Sequence, residues 1–312
     1  MKKIRAFFVV CLIALVAIIL FIIIFPLLHN SEVLDPKEAA PGGKFITLKD
    51  GSDIHYYDEG SGRAIVMIHG FAASADAWGR NAPAFSGRYR VVRPDLAGFG
   101  YSVKPHDVDY SYRFYADHVI EMMDRMKIKQ AVLIGNSMGG GVSLRMAMEH
   151  PKRVSGLVLV DTVGIDHGMN IGLKLMATPG INNFMSSVNN RFFMKLILRR
   201  MIFEDKSLAT EAMADKYLTP FRTYGAMGAA AKVIRSIKTD FTDEEFENIK
   251  VPTLIIWGEK DRVIYPAIAT ALHMKMPESK LVMIPKCGHC PQEEVPEEFN
   301  RLVSDFLSAK NR

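Results

Sequence analysis

Short, continuously apolar runs recur along this chain after residue 44, and most are followed by a stretch whose apolar positions repeat at helical spacing. Phe45–Lys49 and Ile54–Tyr57, joined across Asp50-Gly51, predict an opening hairpin. Ala64–Ile68, Arg90–Arg93, Ala131–Ile134, Leu157–Val160, Thr253–Trp257 and Leu281–Ile284 are further strand candidates. Tyr112–Met126, a stretch from Met138 to about His150, and Pro296–Leu307 read as helices between and after them. Strands that are apolar on both faces and alternate with helices predict an α/β fold, a mostly parallel sheet covered by helices on both sides.

Two stretches depart from the alternation. Between Asp161 and Lys250 no convincing strand occurs, and the residues look helical. Seven of the eighteen methionines fall there, beside clusters such as Phe192-Phe193 and Leu196-Ile197-Leu198. An insertion of this size over one edge of the sheet is expected to form a helical lid, with most of the methionines filling its own core and a few offering an adaptable pocket. The other departure is Ala6–Leu28, 23 residues without a charge. As a helix it would span about 35 Å, enough to cross a hydrocarbon layer of about 30 Å. Lys2, Lys3 and Arg5 precede it and Glu32, Asp35 and Glu38 follow, which places the N-terminus in the cytoplasm and the remainder across the membrane. The run is too long for a signal-peptide core and lacks an A-x-A-like site, so secretion after cleavage is the alternative. The expected organisation is an anchor at 1–30, a linker at 31–44, a core at 45–161 and 251–312, and a lid at 162–250.

Charge adds little beyond that segment. The net charge is +5, but from residue 31 onward 36 basic side chains face 34 acidic ones, and no basic stripe is dense enough for nucleic acid.

Candidate chemistry centres on Gly135-Asn136-Ser137-Met138-Gly139, between the Ala131–Ile134 strand and the helix after it. A serine at such a turn is held on strained backbone, its hydroxyl clear of the chain, and only small neighbours let strand and helix approach. The hydroxyl becomes a nucleophile when a base takes its proton and a third group orients that base. In the chain order serine, acid, histidine, Asp261 and His289 fit, each on a loop after a strand ending at the same sheet edge. Asp161 also ends a strand and is the rival acid; Glu259 lies two residues early. His273 and His150 are expected to face solvent. His69 is expected beneath the loop after Ala64–Ile68, and His118 on a helix. The backbone N–H groups of Phe71 and Met138 are the expected oxyanion donors.

His69-Gly70-Phe71, Asp95-Leu96-Ala97-Gly98-Phe99-Gly100, Gly135-Asn136-Ser137-Met138-Gly139-Gly140, Val160-Asp161-Thr162, the Pro252–Asp261 block and Gly288-His289 together resemble the α/β-hydrolases of the serine esterase and lipase group. Over about residues 45–308 the chain is most similar to bacterial lipases of the Moraxella and Psychrobacter type. The resemblance implies triad roles for Ser137, Asp261 and His289, a carboxylester or simple lipid as substrate, and no metal or organic cofactor. The single residue after His69-Gly70 resembles the loop type associated with medium or long acyl chains. Serine at 137 argues against dehalogenases and epoxide hydrolases, which carry aspartate there. Gly-Asn-Ser-Met-Gly-Gly also resembles the carbon–carbon hydrolases of ring-fission products, from whose usual Ser-Gly after His-Gly the pair Phe71-Ala72 departs. A catalytically silent binding module would lack a triad member, and none is missing.

Cys287 and Cys290 bracket His289 and read as small apolar fillers rather than as a disulfide or zinc pair. Arg191, Lys195 and Arg199 recur every four residues beside Phe192, Phe193, Leu196 and Ile197. The expectation is a lid helix with a solvated charged stripe; contact with a membrane surface is the alternative. N-terminal sequencing of the mature protein tests the anchor: an intact first segment is expected, and a start near residue 30 overturns it.

Overall fold

The computed structural model describes residues 33–166, 168, 178 and 190–309. The expected membrane span, Ala6–Leu28, lies outside the described residues, as do residues 167, 169–177 and 179–189 of the expected lid. Among the described residues no helix is long and apolar enough to cross a membrane.

Eight strands form one sheet: β1 (Lys44–Thr47), β2 (Asp53–Glu59), β3 (Ala64–Ile68), β4 (Arg90–Pro94), β5 (Ala131–Asn136), β6 (Val154–Val160), β7 (Thr253–Gly258) and β8 (Lys280–Ile284). Their order across the sheet is β1-β2-β4-β3-β5-β6-β7-β8. β2 runs antiparallel to both β1 and β4, and every other neighbouring pair is parallel. Side chains alternate between two cores because successive residues of a strand point to opposite faces. Val66, Ile68, Leu133, Ile255 and Trp257 join the core shared with helices Tyr112–Arg125, Met138–Glu149 and Ala267–Lys275. Ile65, Met67, Val132, Ile134, Leu254 and Ile256 face the core built with Ala82–Ser86 and Pro296–Ala309.

Several strands outrun their apolar signal, β2 and β6 the furthest. β2 continues through Asp58 and Glu59, whose carboxylates pair with Arg90 and Arg93 of β4 at 2.8 and 2.9 Å. Cross-strand ion pairs there replace apolar contacts, so hydropathy hides the strand end. β6 begins at Val154, three residues before the apolar run, and its pairing with β5 slips in register at Ala131/Val132.

Between β6 and β7 the described residues form helices Arg191–Ile197, Glu211–Phe221, Ala226–Ser236 and Asp243–Glu247, with no strand. Leu198, Phe203, Ala209 and Cys290 make a small core of their own that joins this segment to the loop after β8. The stretch expected as a linker makes specific contacts: Leu34 bridges Thr223, and Pro36–Ala39 forms one helical turn capped by Asp35.

The β5 turn is where packing is tightest. A Cβ at Gly139 would overlap the carbonyl oxygens of Ile68 and His69, and one at Gly140 would overlap the Thr162 hydroxyl. Gly139→Ala is therefore expected to cost about 3 kcal/mol, because a rigid backbone rather than a flexible side chain must give way. Urea unfolding checks this; a change below about 0.5 kcal/mol would contradict the packing.

Candidate active site

Ser137 sits between β5 and the helix Met138–Glu149 with φ 54 and ψ −117. A left-handed serine is costly, and such strain persists where the surroundings over-determine it. Here its N–H donates to the Val160 carbonyl at 2.9 Å, and its own carbonyl accepts from Gly140, Gly141 and Val163. Ala72 and Asp161, also at positive φ, flank it on the ends of β3 and β6. Lys286, two residues beyond β8, is a fourth, so four of the five non-glycine residues with positive φ among the described residues gather at this edge of the sheet.

Asp261 follows β7 and His289 follows β8, as the sequence order requires. His289 Nδ1 and Asp261 Oδ2 are 2.8 Å apart, both side chains nearly inaccessible. The other oxygen, Asp261 Oδ1, accepts from the Val263 and Ile264 N–H groups at 2.7 and 3.1 Å. The loop of His289 is tied to the serine turn by Asn136, whose Nδ2 donates to the His289 and Val160 carbonyls, each at 3.2 Å. Asp161, the rival acid, is fully buried in the same group but accepts from the Gly258 N–H rather than from His289. Glu259 is exposed and outside the site. Asp161, Asp261 and His289 lie close enough to be imagined as metal ligands, yet the Asp261–His289 hydrogen bond already engages the facing atoms.

Among the described residues neither the Phe71 nor the Met138 N–H has a hydrogen-bond partner. Met138 begins a helix, whose first N–H groups are always unpaired within it. His69 orients the other donor. Its Nε2 accepts the Leu96 N–H at 2.9 Å, so the ring proton is on Nδ1 and donates to the Gly70 carbonyl at 2.7 Å. Across a trans peptide the C=O and N–H point opposite ways, which turns the Phe71 N–H away from His69. Burial lowers the basicity of His69 and keeps it neutral in this role. It also makes a T-shaped contact with Phe99, which meets Phe71 in the same edge-to-face way.

The loop after β4 has its own anchor. Asp95 accepts from the Ala75 N–H at 2.6 Å, the Tyr101 N–H at 2.7 Å and His55 Nδ1 at 2.8 Å. Burial alone would raise the Asp95 carboxyl, but His55 and the backbone donors hold it below its ordinary value. His55 loses basicity by burial and regains more from Asp95, so it ends above its ordinary value.

His118, His150, His273 and the two described cysteines lie outside the site's hydrogen bonds. His118 lies on its helix with Nε2 3.2 Å from Asp50, while His150 and His273, expected in solvent, are half-buried against Asp117 and Ser279. Cys287 and Cys290 are free buried thiols, both made less acidic mainly by burial. Sequence reasoning did not single out Glu293 and Glu294. Glu293 is buried with Lys216 and Tyr217 against it, and Glu294 accepts from the Gly288 and Asp205 N–H groups. The signal was adjacent: two acids within five residues of His289.

A family model described as the alpha/beta hydrolase fold matches residues 63–296. The chain belongs to the α/β-hydrolase family. Within it, 2-hydroxymuconate semialdehyde hydrolase of Pseudomonas putida is 31% identical over 285 residues, covering 88% of this chain and 96% of that protein. Lipase 1 of Psychrobacter immobilis is 30% identical over 278 residues, covering 85% and 84%. Among solved α/β-hydrolase structures, a meta-cleavage product hydrolase from Pseudomonas fluorescens IP01 superposes with TM-score 0.75 at 30% identity, covering 86% of this chain and 98% of that one. A membrane phospholipase A described as a bacterial virulence factor superposes with TM-score 0.74 at 26% identity, covering 100% of both chains.

The His55–Asp95 pair gives a pH signature with two limbs. Asp95's contribution is present above the ordinary carboxyl value of about 3.9 and is lost as pH falls through its lowered folded value. His55's is present below about 6.5 and is lost as pH rises through its raised folded value. Asp95→Asn is expected to lower stability more at about pH 5 than at about pH 8.5. Equal losses in urea unfolding at the two pH values would show that the pair is uncharged.

Proposed function

We propose that this α/β-hydrolase is a serine hydrolase that cleaves carboxylic acyl esters or simple lipids through an acyl-enzyme on Ser137. The observation that carries the reading is the left-handed Ser137, tied through Asn136 to the loop of the buried Asp261–His289 pair. With Nδ1 held by Asp261, His289 offers Nε2 to the serine proton. Ser137 then attacks the ester carbonyl, and the unpartnered Phe71 and Met138 N–H groups receive the oxyanion. His289 returns the proton to the departing alcohol, and water clears the acyl-enzyme by the same route. Asp261 fixes the imidazole tautomer and stabilises its charged form. This chemistry calls for no metal or organic cofactor.

The Psychrobacter lipase and the membrane phospholipase A support the ester reading. The full-length match to the phospholipase, together with the charge-free Ala6–Leu28, supports attachment of the chain to a membrane with the hydrolase domain on the far side. The helices between β6 and β7 would then act as the lid, since Lys216 and Tyr217 reach from one of them to the His289 loop.

A second reading is carbon–carbon hydrolysis of ring-fission products, and the relatives weigh toward it: hydrolases of that chemistry are as similar as the lipase or more so. The two readings share the nucleophile and differ in substrate. A fluorophosphonate probe is expected to label Ser137 in the folded protein, and Ser137→Ala to lower turnover by about 10⁴-fold or more. Hydrolysis of p-nitrophenyl esters across a chain-length series supports the ester reading; activity on a ring-fission product with none on these esters replaces it by the second. Absence of labelling removes Ser137 from both.

A further inference from the structure

Asp161 ends β6 beside the Asp261–His289 pair and has no part in the mechanism above. It is wholly inaccessible, and its backbone is held at φ 43. Its Oδ1 accepts the Gly258 N–H at 3.0 Å, while its Oδ2 is buried without a partner. Asp161, Asp261 and His289 each place a polar side-chain atom within 4.8 Å of the other two.

Ionised carboxylates accept hydrogen bonds and cannot donate them. Two of them side by side and buried from solvent would repel each other and leave Asp161 Oδ2 unsatisfied. One shared proton removes both costs. Donor counts decide which residue carries it. Asp261 receives the Val263 and Ile264 N–H groups and His289 Nδ1, whereas Asp161 receives one N–H. The other titratable groups acting on or near Asp161 are Glu294, whose charge opposes a second anion, and the thiols of Cys287 and Cys290. Burial first, and the Asp261 charge next, push the Asp161 carboxyl well above its ordinary range.

We propose that Asp161 is a neutral carboxylic acid in the folded protein and donates its hydroxyl to the Asp261 carboxylate, making it a positioning residue for the pair that orients His289. The link to turnover rests on the triad reading; the protonation state does not. Asparagine in its place keeps the acceptor for Gly258 and presents an N–H where the hydroxyl stood. Alanine removes both.

Infrared difference spectra of the substrate-free protein at about pH 7 test the proton directly. Asp161→Asn is expected to remove a protonated-carboxyl C=O band that shifts in D₂O. This readout needs no turnover, so it stands apart from any failure of the ester or triad assignment. In turnover, Asp161→Ala is expected to lower kcat about tenfold, the size of one hydrogen bond to a charged group, with little change in KM. Its acid limb moves to higher pH, because a less well satisfied Asp261 carboxylate holds the His289 imidazolium more strongly. Asp161→Asn is expected to recover most of both changes. No band lost in Asp161→Asn, or Asp161→Asn as impaired as Asp161→Ala with the same pH profile, overturns the proposal.

Discussion

The approach of β5 to the helix that leaves it at Ser137 is the constraint on which the rest of the active edge depends. Backbone meets backbone there, and Gly135 and Gly139 lie so close that neither tolerates a side chain. The cost of a left-handed serine, on the order of 1–3 kcal/mol, is met by a surrounding sheet buried on both faces. Because the Ser137 N–H and C=O are bonded to β6 and to the turn after it, the residue cannot relax without moving two strands. The strain is therefore held in place by the parallel core rather than by the loop itself.

Around that turn, burial acts on ionisable groups in opposite senses according to their company. His69 has only backbone partners and stays neutral, which lets it accept with one nitrogen and donate with the other. His55 has Asp95 and is held charged more readily than in water. His69 fixes the loop at Phe71, while His55 acts through Asp95, which accepts from the Ala75 and Tyr101 N–H groups.

Much of this was legible in the sequence because apolar runs and turn residues are local signals. Ala64–Ile68 coincides with β3, and the other strand candidates differ from the observed strands by one to three residues at one or both ends. Ser137, Asp261 and His289 could be chosen by chain order and by the strand preceding each, and the structure brings Asp261 and His289 into contact. What the sequence hid depends on contacts distant along the chain. Asp161 was weighed as a substitute for Asp261, whereas the two occupy one pocket together, a relation that strand-end logic treats as exclusive. Glu293 and Glu294 carry no local signal, since their partners Lys216, Tyr217 and Asp205 lie far away in sequence.

The backbone N–H of His289 donates to the Ile202 carbonyl at 2.8 Å, and Gly288 packs so closely on Ile202 and Glu204 that a side chain would not fit. The described part of the segment between β6 and β7 is thus attached in two ways. Residues 202–205 belong, mechanically, to the histidine loop. Helix Glu211–Phe221 is joined to the turn after that loop through the Lys216 and Tyr217 side chains, which meet Glu293. A chain junction placed upstream of residue 202 would exchange the acceptor of the His289 N–H together with the helices, whereas one placed beyond residue 205 would keep that acceptor and put at risk only the side-chain grip on Glu293.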